Sequence, residues 1–235
     1  MKQLVVRRPN SGWLEITLDD TEMDFLRARI DKKGISTKRK LAGNISASYR
    51  IEDKDNWFFD NVITGLLDKF ASEFRNIGDS LALKNEHPYY LREMWVNYQK
   101  QHEFNPLHYH SGIYSFVVWM KIPTDWREQY KLPFLRGMSR TGNGSIKPSA
   151  FELSMPTGYD QMIQSQTYHM SPKEEGKMLF FPSTMSHQVY PFYESLEERI
   201  SISGNIGIDT DIRTTSTGEK EDAKWDKNAK QVWHS

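Results

Sequence analysis

Two histidines, His108 and His110, stand one residue apart before a long apolar run in NPLHYHSGIYSFVVWMKIP, residues 105–123. In a β-strand, alternate side chains point to the same face, so these two residues lie on one side with their Cα atoms about 7 Å apart. Two imidazoles placed in this way can chelate one metal ion. A third ligand must come from elsewhere, and His187 in FFPSTMSHQVYPF begins another aromatic strand candidate. Because imidazole suits iron, zinc, copper and nickel, three histidines leave the metal open.

An arginine follows His187 by twelve residues, at the start of the stretch RISIS. Arg199 and Ser201 share one face of the predicted strand, and the isoleucines take the other face. An inward arginine needs a partner, because burying an unpaired charge is costly. Its planar fork matches a carboxylate, and the serine hydroxyl can add a further hydrogen bond. The alternative is a surface arginine that pairs with Glu197 or Glu198.

The composition limits the possible metal ligands and partners. The chain of 235 residues has no cysteine, which excludes disulfides, thiolate metal sites and cysteine nucleophiles, so a metal must be held by His, Asp or Glu. Lys plus Arg equals Asp plus Glu at 31 each, so no net field attracts nucleic acid or an acidic membrane. The sequence lacks the apolar stretches of a signal peptide or a membrane span. We therefore expect a cytoplasmic protein without a nucleic-acid or membrane partner.

The N-terminal part predicts a hairpin and two helices. The strand candidates are residues 3–7 and 13–18, and a short helix follows with Thr21 as its N-cap. Residues 55–74 predict a longer helix that starts at Asp55. Its apolar stripe is expected to be core and consists of Phe59, Val62, Ile63, Leu66, Leu67, Phe70 and Phe74.

From residue 93 onward, eight short runs rich in Val, Ile, Phe, Tyr and Trp are separated by Gly, Pro, Asn and Ser. Eight such runs after a helical start predict a mainly β fold with flanking helices, as an antiparallel sandwich or barrel. The glycine-rich and basic residues 136–149 predict a long flexible loop, which is either a lid or a passive surface excursion. The basic segment 32–40 is expected to be a solvated loop.

These patterns divide the chain into three parts. Residues 1–92 form a hairpin and helices that pack on the core. Residues 93–208 are expected to form the core that carries the candidate site residues, with a loop insertion near residues 124–149. Residues 209–235 form a polar C-terminal tail, of which a part is expected to dock through its tryptophans.

The order of these motifs resembles the Fe(II)- and 2-oxoglutarate-dependent oxygenases. The H-x-H pair entering a strand, the late histidine after FFPS and the Arg-x-Ser followed by GNI carry the resemblance, over residues 93–208. It is closest to the branch with an HxH...H...RxS pattern, which is also seen in viral and marine microbial genomes. The resemblance implies a double-stranded β-helix (jelly roll, cupin-like) and the use of Fe(II), 2-oxoglutarate and O₂. It also implies the cytoplasm of the host cell if the protein is virus-encoded.

The resemblance implies a role for each matching residue. His108 matches the first iron ligand, and His187 matches the distal one. Arg199 matches the basic residue that pairs with the far carboxylate of 2-oxoglutarate, and Ser201 matches the serine of the Arg-x-Ser pattern.

The departure from the family pattern lies at position 110, where most members have Asp or Glu. Three explanations stay open. His110 is itself the second ligand, or Gly112 leaves a coordination position vacant, or a carboxylate such as Glu103 or Glu152 completes the triad. The first explanation requires the least rearrangement, because His110 already shares a face with the first ligand.

The implied reaction is the oxidation of an unidentified small-molecule or peptidyl substrate, most simply a hydroxylation, with release of succinate and CO₂. On the strand before the ligands, Asn97 lies where family members place a polar contact to the cosubstrate, and Tyr98 competes for that role. Two other function classes remain alternatives. One is a non-catalytic jelly-roll binding or structural protein, and the other is a three-histidine cupin-type metalloenzyme that does not use 2-oxoglutarate.

Overall fold

The computed structural model describes residues 12–30, 34–38, 43–74, 88–135, 147–156 and 163–209, and the short segments 213–214 and 220–221. The α-helices of these parts are α1 (Asp20–Arg27), α2 (Thr64–Glu73) and α3 (Trp126–Gln129). The strands are β1 (Leu14–Thr17), β2 (Ala47–Ile51), β3 (Tyr89–Gln99), β4 (Asn105–His108), β5 (Tyr114–Lys121), β6 (Ala150–Pro156), β7 (Ile163–His169), β8 (Lys177–Pro182), β9 (Ser186–Val189), β10 (Arg199–Ile208), β11 (Arg213–Thr214) and β12 (Lys220–Glu221).

Two antiparallel sheets make up the core. The larger sheet has the order β1-β8-β5-β10-β3-β2, and the smaller one has the order β4-β9-β6-β7. The eight strands from β3 to β10 are the eight apolar runs of the sequence, and each sheet takes four of them. This arrangement is the double-stranded β-helix, or jelly roll, so the predicted fold class is confirmed.

The helices cover the outer face of the larger sheet. The predicted apolar stripe is buried there from Val62 to Phe70, whereas Phe59 and Phe74 are partly buried. Ile202 of β10 points into the same layer. Burial of a side chain of this size contributes about 1.5–3 kcal/mol, so this layer anchors the helices to the sheet.

Helix α1 begins earlier than the sequence predicts. Asp19 is the N-cap: its carboxylate accepts a hydrogen bond from the backbone N–H of Glu22, and the Glu22 side chain accepts one from the N–H of Asp19. This reciprocal pair is a capping box. The prediction of Thr21 as the cap is therefore wrong, because Thr21 lies inside the first turn.

The second helix is also capped by an earlier aspartate. The two carboxylate oxygens of Asp53 accept hydrogen bonds from the backbone N–H groups of Phe58 and Phe59, at 2.8 and 2.9 Å. A π-helical segment, Phe59–Ile63, leads from there into α2. Asp55 has a φ of 59° in the preceding turn, so its predicted capping role is wrong.

The segment before residue 93 adds a strand to each edge of the larger sheet. Strand β1 pairs with β8, and the unpredicted strand β2 pairs with β3. Several predicted segments lie outside the described residues: 3–7, both ends of the basic segment (32–33 and 39–40), 136–146 and both tryptophans of the tail. Among the described residues, no helix has the length and apolar character needed to cross a membrane.

The inner faces of the two sheets share a second apolar cluster, made of Val117, Trp119, Ile122, Phe151, Leu153, Tyr168, Met170, Leu179 and Phe181. Beside this cluster lies a cavity that takes its walls from both sheets. Strands β3, β4, β9 and β10 all contribute residues to the lining of this cavity.

Candidate metal centre

Three histidines meet at the wall of this cavity. His108 is the last residue of β4 and lies opposite His187 on β9. His110 lies two residues beyond the end of β4. One ring nitrogen from each histidine lies within 4.8 Å of the other two. The Nε2 atoms of His110 and His187 are 3.0 Å apart. Two nitrogens bound to one ion at about 2.1 Å lie about 3 Å apart when they meet at a right angle, so this spacing suits chelation.

Backbone carbonyls orient two of the three rings. The Nδ1 of His108 lies 2.7 Å from the carbonyl oxygen of Pro106, and the Nδ1 of His187 lies 3.0 Å from that of Met185. A carbonyl oxygen only accepts, so the proton of each neutral ring is on Nδ1. The lone pair is then on Nε2, which is the arrangement that metal-binding histidines commonly have.

Burial keeps these rings neutral. Burial and, after it, the neighbouring histidines lower the pKa of His187 to about 3 and that of His110 to about 4. The pKa of His108 is also lowered, mainly by burial. At neutral pH the cluster therefore offers three uncharged nitrogen donors. Such a donor set fits a divalent transition metal such as Fe(II).

No carboxylate among the described residues completes the site. The two carboxylate oxygens of Glu103 accept hydrogen bonds from the backbone N–H groups of Lys100, at 2.9 Å, and Ser46, at 3.1 Å. Glu152 is buried, forms an ion pair with Lys147 and accepts a hydrogen bond from Gln188 at 2.8 Å. Within the described part of the chain, no Asp or Glu lies within ligand distance of the histidines. Neither Glu103 nor Glu152 is therefore placed to complete the triad.

Gly112 has a backbone reason for being glycine. Its φ is +122°, and a Cβ there would lie 2.9 Å from the carbonyl oxygen of Ile206. Two hydrogen bonds fix this turn on either side: His110 N–H to Ser183 O at 2.9 Å and Ile113 N–H to Ile206 O at 2.8 Å. The backbone geometry thus explains the glycine by itself, without reference to a vacant coordination position.

Polar residues of the adjacent strands β10 and β3 form one wall of the cavity. Arg199 lies opposite Gln99, and Ser201 lies opposite Asn97, with all four residues lining the cavity. The Asn97 oxygen accepts a hydrogen bond from the Ser48 hydroxyl at 2.8 Å. The amide nitrogen of Asn97 is then the group that this residue can offer to a ligand.

Tyr98 lies on the other face of β3. It is buried in the layer beneath the helices, edge-on to Tyr49 at a ring distance of 6.0 Å. Because neighbouring residues of a strand point to opposite faces, Tyr98 cannot contact a ligand in the cavity while Asn97 does. Tyr98 therefore lies away from the cavity, whereas Asn97 lines it.

Arg199 is almost fully buried, with 2% of its surface exposed. Its Nε and Nη2 donate to Gln99 Oε1, its Nη1 donates to Ser149 O, and its Nη2 also donates to Tyr190 O. Among the described residues it forms no ion pair. Burial lowers the pKa of Arg199 to about 9, so the group remains a cation at neutral pH. The surface alternative is excluded, and Glu197 pairs with Lys121 instead.

Aromatic rings form the apolar walls of the cavity. Trp95 stacks on the ring of His110 at 5.7 Å, while Phe181 and Phe151 flank His187 at 5.1 and 5.7 Å. No described carboxylate lines the cavity. Trp95 and Gln99 were not predicted as site residues, although strand alternation places them on the same face as Asn97. Ser48 was missed because its strand was not predicted.

The fold and the site together define a jelly-roll protein whose inter-sheet cavity holds a three-histidine cluster and a buried arginine. Residues 93–205 match the family model described as "Putative 2OG-Fe(II) oxygenase". The matched segment contains the three histidines and Arg199 and is that of a 2OG-Fe(II) oxygenase, an oxidoreductase that uses Fe(II), 2-oxoglutarate and O₂. No curated protein sequence matches the chain.

Solved structures of similar fold share little sequence with this chain. A prolyl-4-hydroxylase from Pseudomonas putida is 16% identical with a TM-score of 0.45, over 83% of this chain and 91% of that chain. An oxidoreductase of the 2OG-Fe(II) oxygenase family from Burkholderia pseudomallei is 13% identical with a TM-score of 0.44, over 83% and 84%. A viral collagen prolyl hydroxylase from Paramecium bursaria Chlorella virus-1, in complex with 2OG, is 13% identical with a TM-score of 0.44, over 83% and 94%.

Proposed function

We propose that this oxygenase is a hydroxylase in which His108, His110 and His187 hold Fe(II), while Arg199 and Ser201 bind the distal carboxylate of 2-oxoglutarate. The observation that carries the proposal is a buried arginine without a described ionic partner in the same cavity as three neutral imidazoles. A buried cation of this kind is costly unless an anion pairs with it. A dicarboxylic cosubstrate supplies that anion.

The metal part of the proposal rests on the orientation of the rings. Two Nδ1 atoms face backbone carbonyls, so the Nε2 lone pairs of His108 and His187 are left for an ion. When bound, Fe(II) with 2-oxoglutarate supplies the activation of O₂, with release of succinate and CO₂. The chain holds the donors in place: the sheet register fixes two of them, and Trp95 stacks against the third, His110.

The cosubstrate part rests on the donors that remain in the cavity. Arg199 has five N–H donors, and its contacts within the chain use four of them, so one Nη1 hydrogen is left. The Ser201 hydroxyl and the Asn97 amide lie on the same cavity face. Together these groups give an anionic oxygen three donors and one full charge, which is a strong set for a carboxylate.

The aromatic walls support a role in excluding water. Phe151 and Phe181 lie against His187, and Trp95 covers His110. A dry site protects a reactive centre from side reactions and strengthens the charge interactions inside it. These walls suit an apolar C–H group of the substrate, which is either a small molecule or a peptidyl residue.

Turnover of the cosubstrate tests this proposal. The protein is loaded with Fe(II) and supplied with 2-oxoglutarate and O₂, and succinate is measured without added substrate. We expect slow formation of succinate by the wild type and none by His187→Ala. Arg199→Met should raise KM for 2-oxoglutarate about 30-fold or more, because a truncated buried charge pair costs about 2–5 kcal/mol.

Tyr98→Phe is the matched control, since it changes a neighbouring residue on the far face of β3. It should leave KM unchanged. A wild type that binds the metal but forms no succinate would overturn the proposal.

A further inference from the structure

Gln99 is the residue that holds the Arg199 guanidinium in the cavity. It is 3% exposed and lies directly opposite Arg199 in the β3–β10 pair. Its Oε1 accepts from Nε at 2.9 Å and from Nη2 at 2.6 Å. One neutral oxygen thus occupies the edge of the guanidinium that a carboxylate commonly takes in an ion pair.

The direction of the Gln99 amide is fixed from its other side. Its Nε2 donates to the backbone carbonyl of Glu103 at 2.5 Å. The Glu103 carboxylate in turn accepts from the backbone N–H of Lys100 at 2.9 Å, which closes the turn after β3. A flipped amide would set two oxygens against each other at Glu103 and an NH₂ group against the guanidinium. The turn therefore holds the oxygen of Gln99 toward Arg199.

All the described contacts that position Arg199 are uncharged. Besides Gln99, its acceptors are the backbone carbonyls of Ser149 and Tyr190, at 3.0 and 2.9 Å. These contacts satisfy N–H groups but leave the positive charge without a counter-charge among the described residues. A glutamate at position 99 would have nearly the same shape and would supply a counter-charge inside the protein.

We infer that Gln99 is a positioning residue whose neutral amide orients Arg199 while reserving its charge for the second carboxylate of the 2-oxo acid. This inference rests on the proposed function, because it concerns the carboxylate that Arg199 binds. It also makes Gln99 a determinant of specificity. The site should prefer 2-oxoglutarate over 2-oxoglutaramate, in which a neutral amide replaces the distal carboxylate.

A change of charge at position 99 tests the inference. Gln99→Glu supplies the counter-charge, and Gln99→Met keeps the length and neutrality of the side chain but removes its hydrogen bonds. For each protein, loaded anaerobically with Fe(II), the Kd values of 2-oxoglutarate and 2-oxoglutaramate are measured at pH 8 by calorimetry. Their ratio is the readout, since a partly folded preparation changes both constants alike.

The wild type should bind 2-oxoglutarate at least tenfold more tightly than 2-oxoglutaramate. Gln99→Met should weaken 2-oxoglutarate but keep the preference, whereas Gln99→Glu should reduce the preference at least tenfold. A ratio in Gln99→Glu equal to the wild-type ratio would overturn the inference. So would an equal loss of preference in Gln99→Met, because the role of Gln99 would then be packing alone.

The proposed function fails in a different way. If the wild type binds neither 2-oxo acid when the metal is present, Arg199 does not bind a cosubstrate and both proposals fall. If the wild type prefers 2-oxoglutarate and Arg199→Met abolishes that preference, the proposed function stands. The result for Gln99→Glu then decides the inference by itself.

Discussion

His108 and His187 face each other across the β4–β9 strand pair, with their ring centroids 4.3 Å apart. The register of a sheet therefore sets the distance between these two candidate ligands, and loop geometry does not. Strand β9 is held on its other side by β6, where His187 is paired with Leu153. A site built on paired strands keeps its geometry without the metal, which is the property that a preorganised centre needs.

Metal binding should stabilise the folded protein through the three histidines. At a free Fe(II) concentration of 100 times Kd, the free energy of unfolding should rise by about 2.7 kcal/mol. His108→Ala should abolish this gain, measured as the shift in Tm on anaerobic addition of Fe(II). The control is His102→Asn, which changes a histidine outside the cluster and keeps a residue that tolerates a φ of 69°. An equal gain in His108→Ala would contradict the assignment.

Position 110 should accept a carboxylate but not a methyl group. His110→Asp restores the two-histidine, one-carboxylate set of the family, so it should keep Fe(II) binding within about an order of magnitude. His110→Ala leaves two ligands and should lose it. Metal content after dialysis against a weak chelator measures both. Full retention of the metal by His110→Ala would show that this histidine is not a ligand.

Gly112→Ala should destabilise the fold by about 1–3 kcal/mol, because φ is +122° and the new Cβ would meet Ile206 O at 2.9 Å. Gly65→Ala is the control. Gly65 lies exposed in α2, and a Cβ added there would have no atom within 4 Å, so this change should stabilise the helix by about 0.5–1 kcal/mol. Urea unfolding followed by circular dichroism separates the two. Equal effects would refute the strain argument.

The cap of the second helix gives a matched pair of aspartates. Asp53→Ala removes two hydrogen bonds to the first turn and should cost about 1–2 kcal/mol of stability. Asp55→Asn should be neutral, since Asn tolerates the positive φ of 59°. The midpoint of chemical unfolding tests both changes. A larger loss of stability in Asp55→Asn than in Asp53→Ala would show that Asp55 caps the helix, as the sequence predicted.

The strands of the jelly roll were predictable because their pattern is local. Each of the eight runs joins apolar and β-branched residues between turn formers, and each forms a strand. Arg199 and Ser201 were also within reach, since a period of two places them on one face of β10. His108 and His110 come together as expected, but His110 lies beyond the end of β4 and not on the predicted strand. Strand β2 was not predicted, because ASYRI is short and has only two buried residues.

The partners of the candidate residues could not be predicted from local patterns. Gln99 and Arg199 are separated by 100 residues, and only the register of β3 against β10 brings them together. For the same reason, the sequence left open whether Asn97 or Tyr98 faces the cavity. Alternation says that these two residues face opposite ways, but the packing of the helices decides which face is the cavity.

Anaerobic binding of 2-oxoglutarate to the Fe(II)-loaded protein tests the proposed site most directly. Calorimetry should give one molecule bound per chain, no binding without the metal, and a Kd about 30-fold or more weaker in Arg199→Met. Tyr98→Phe should bind as the wild type does. Binding that is independent of the metal, or equal in Arg199→Met and the wild type, would contradict a cosubstrate held between the three histidines and Arg199.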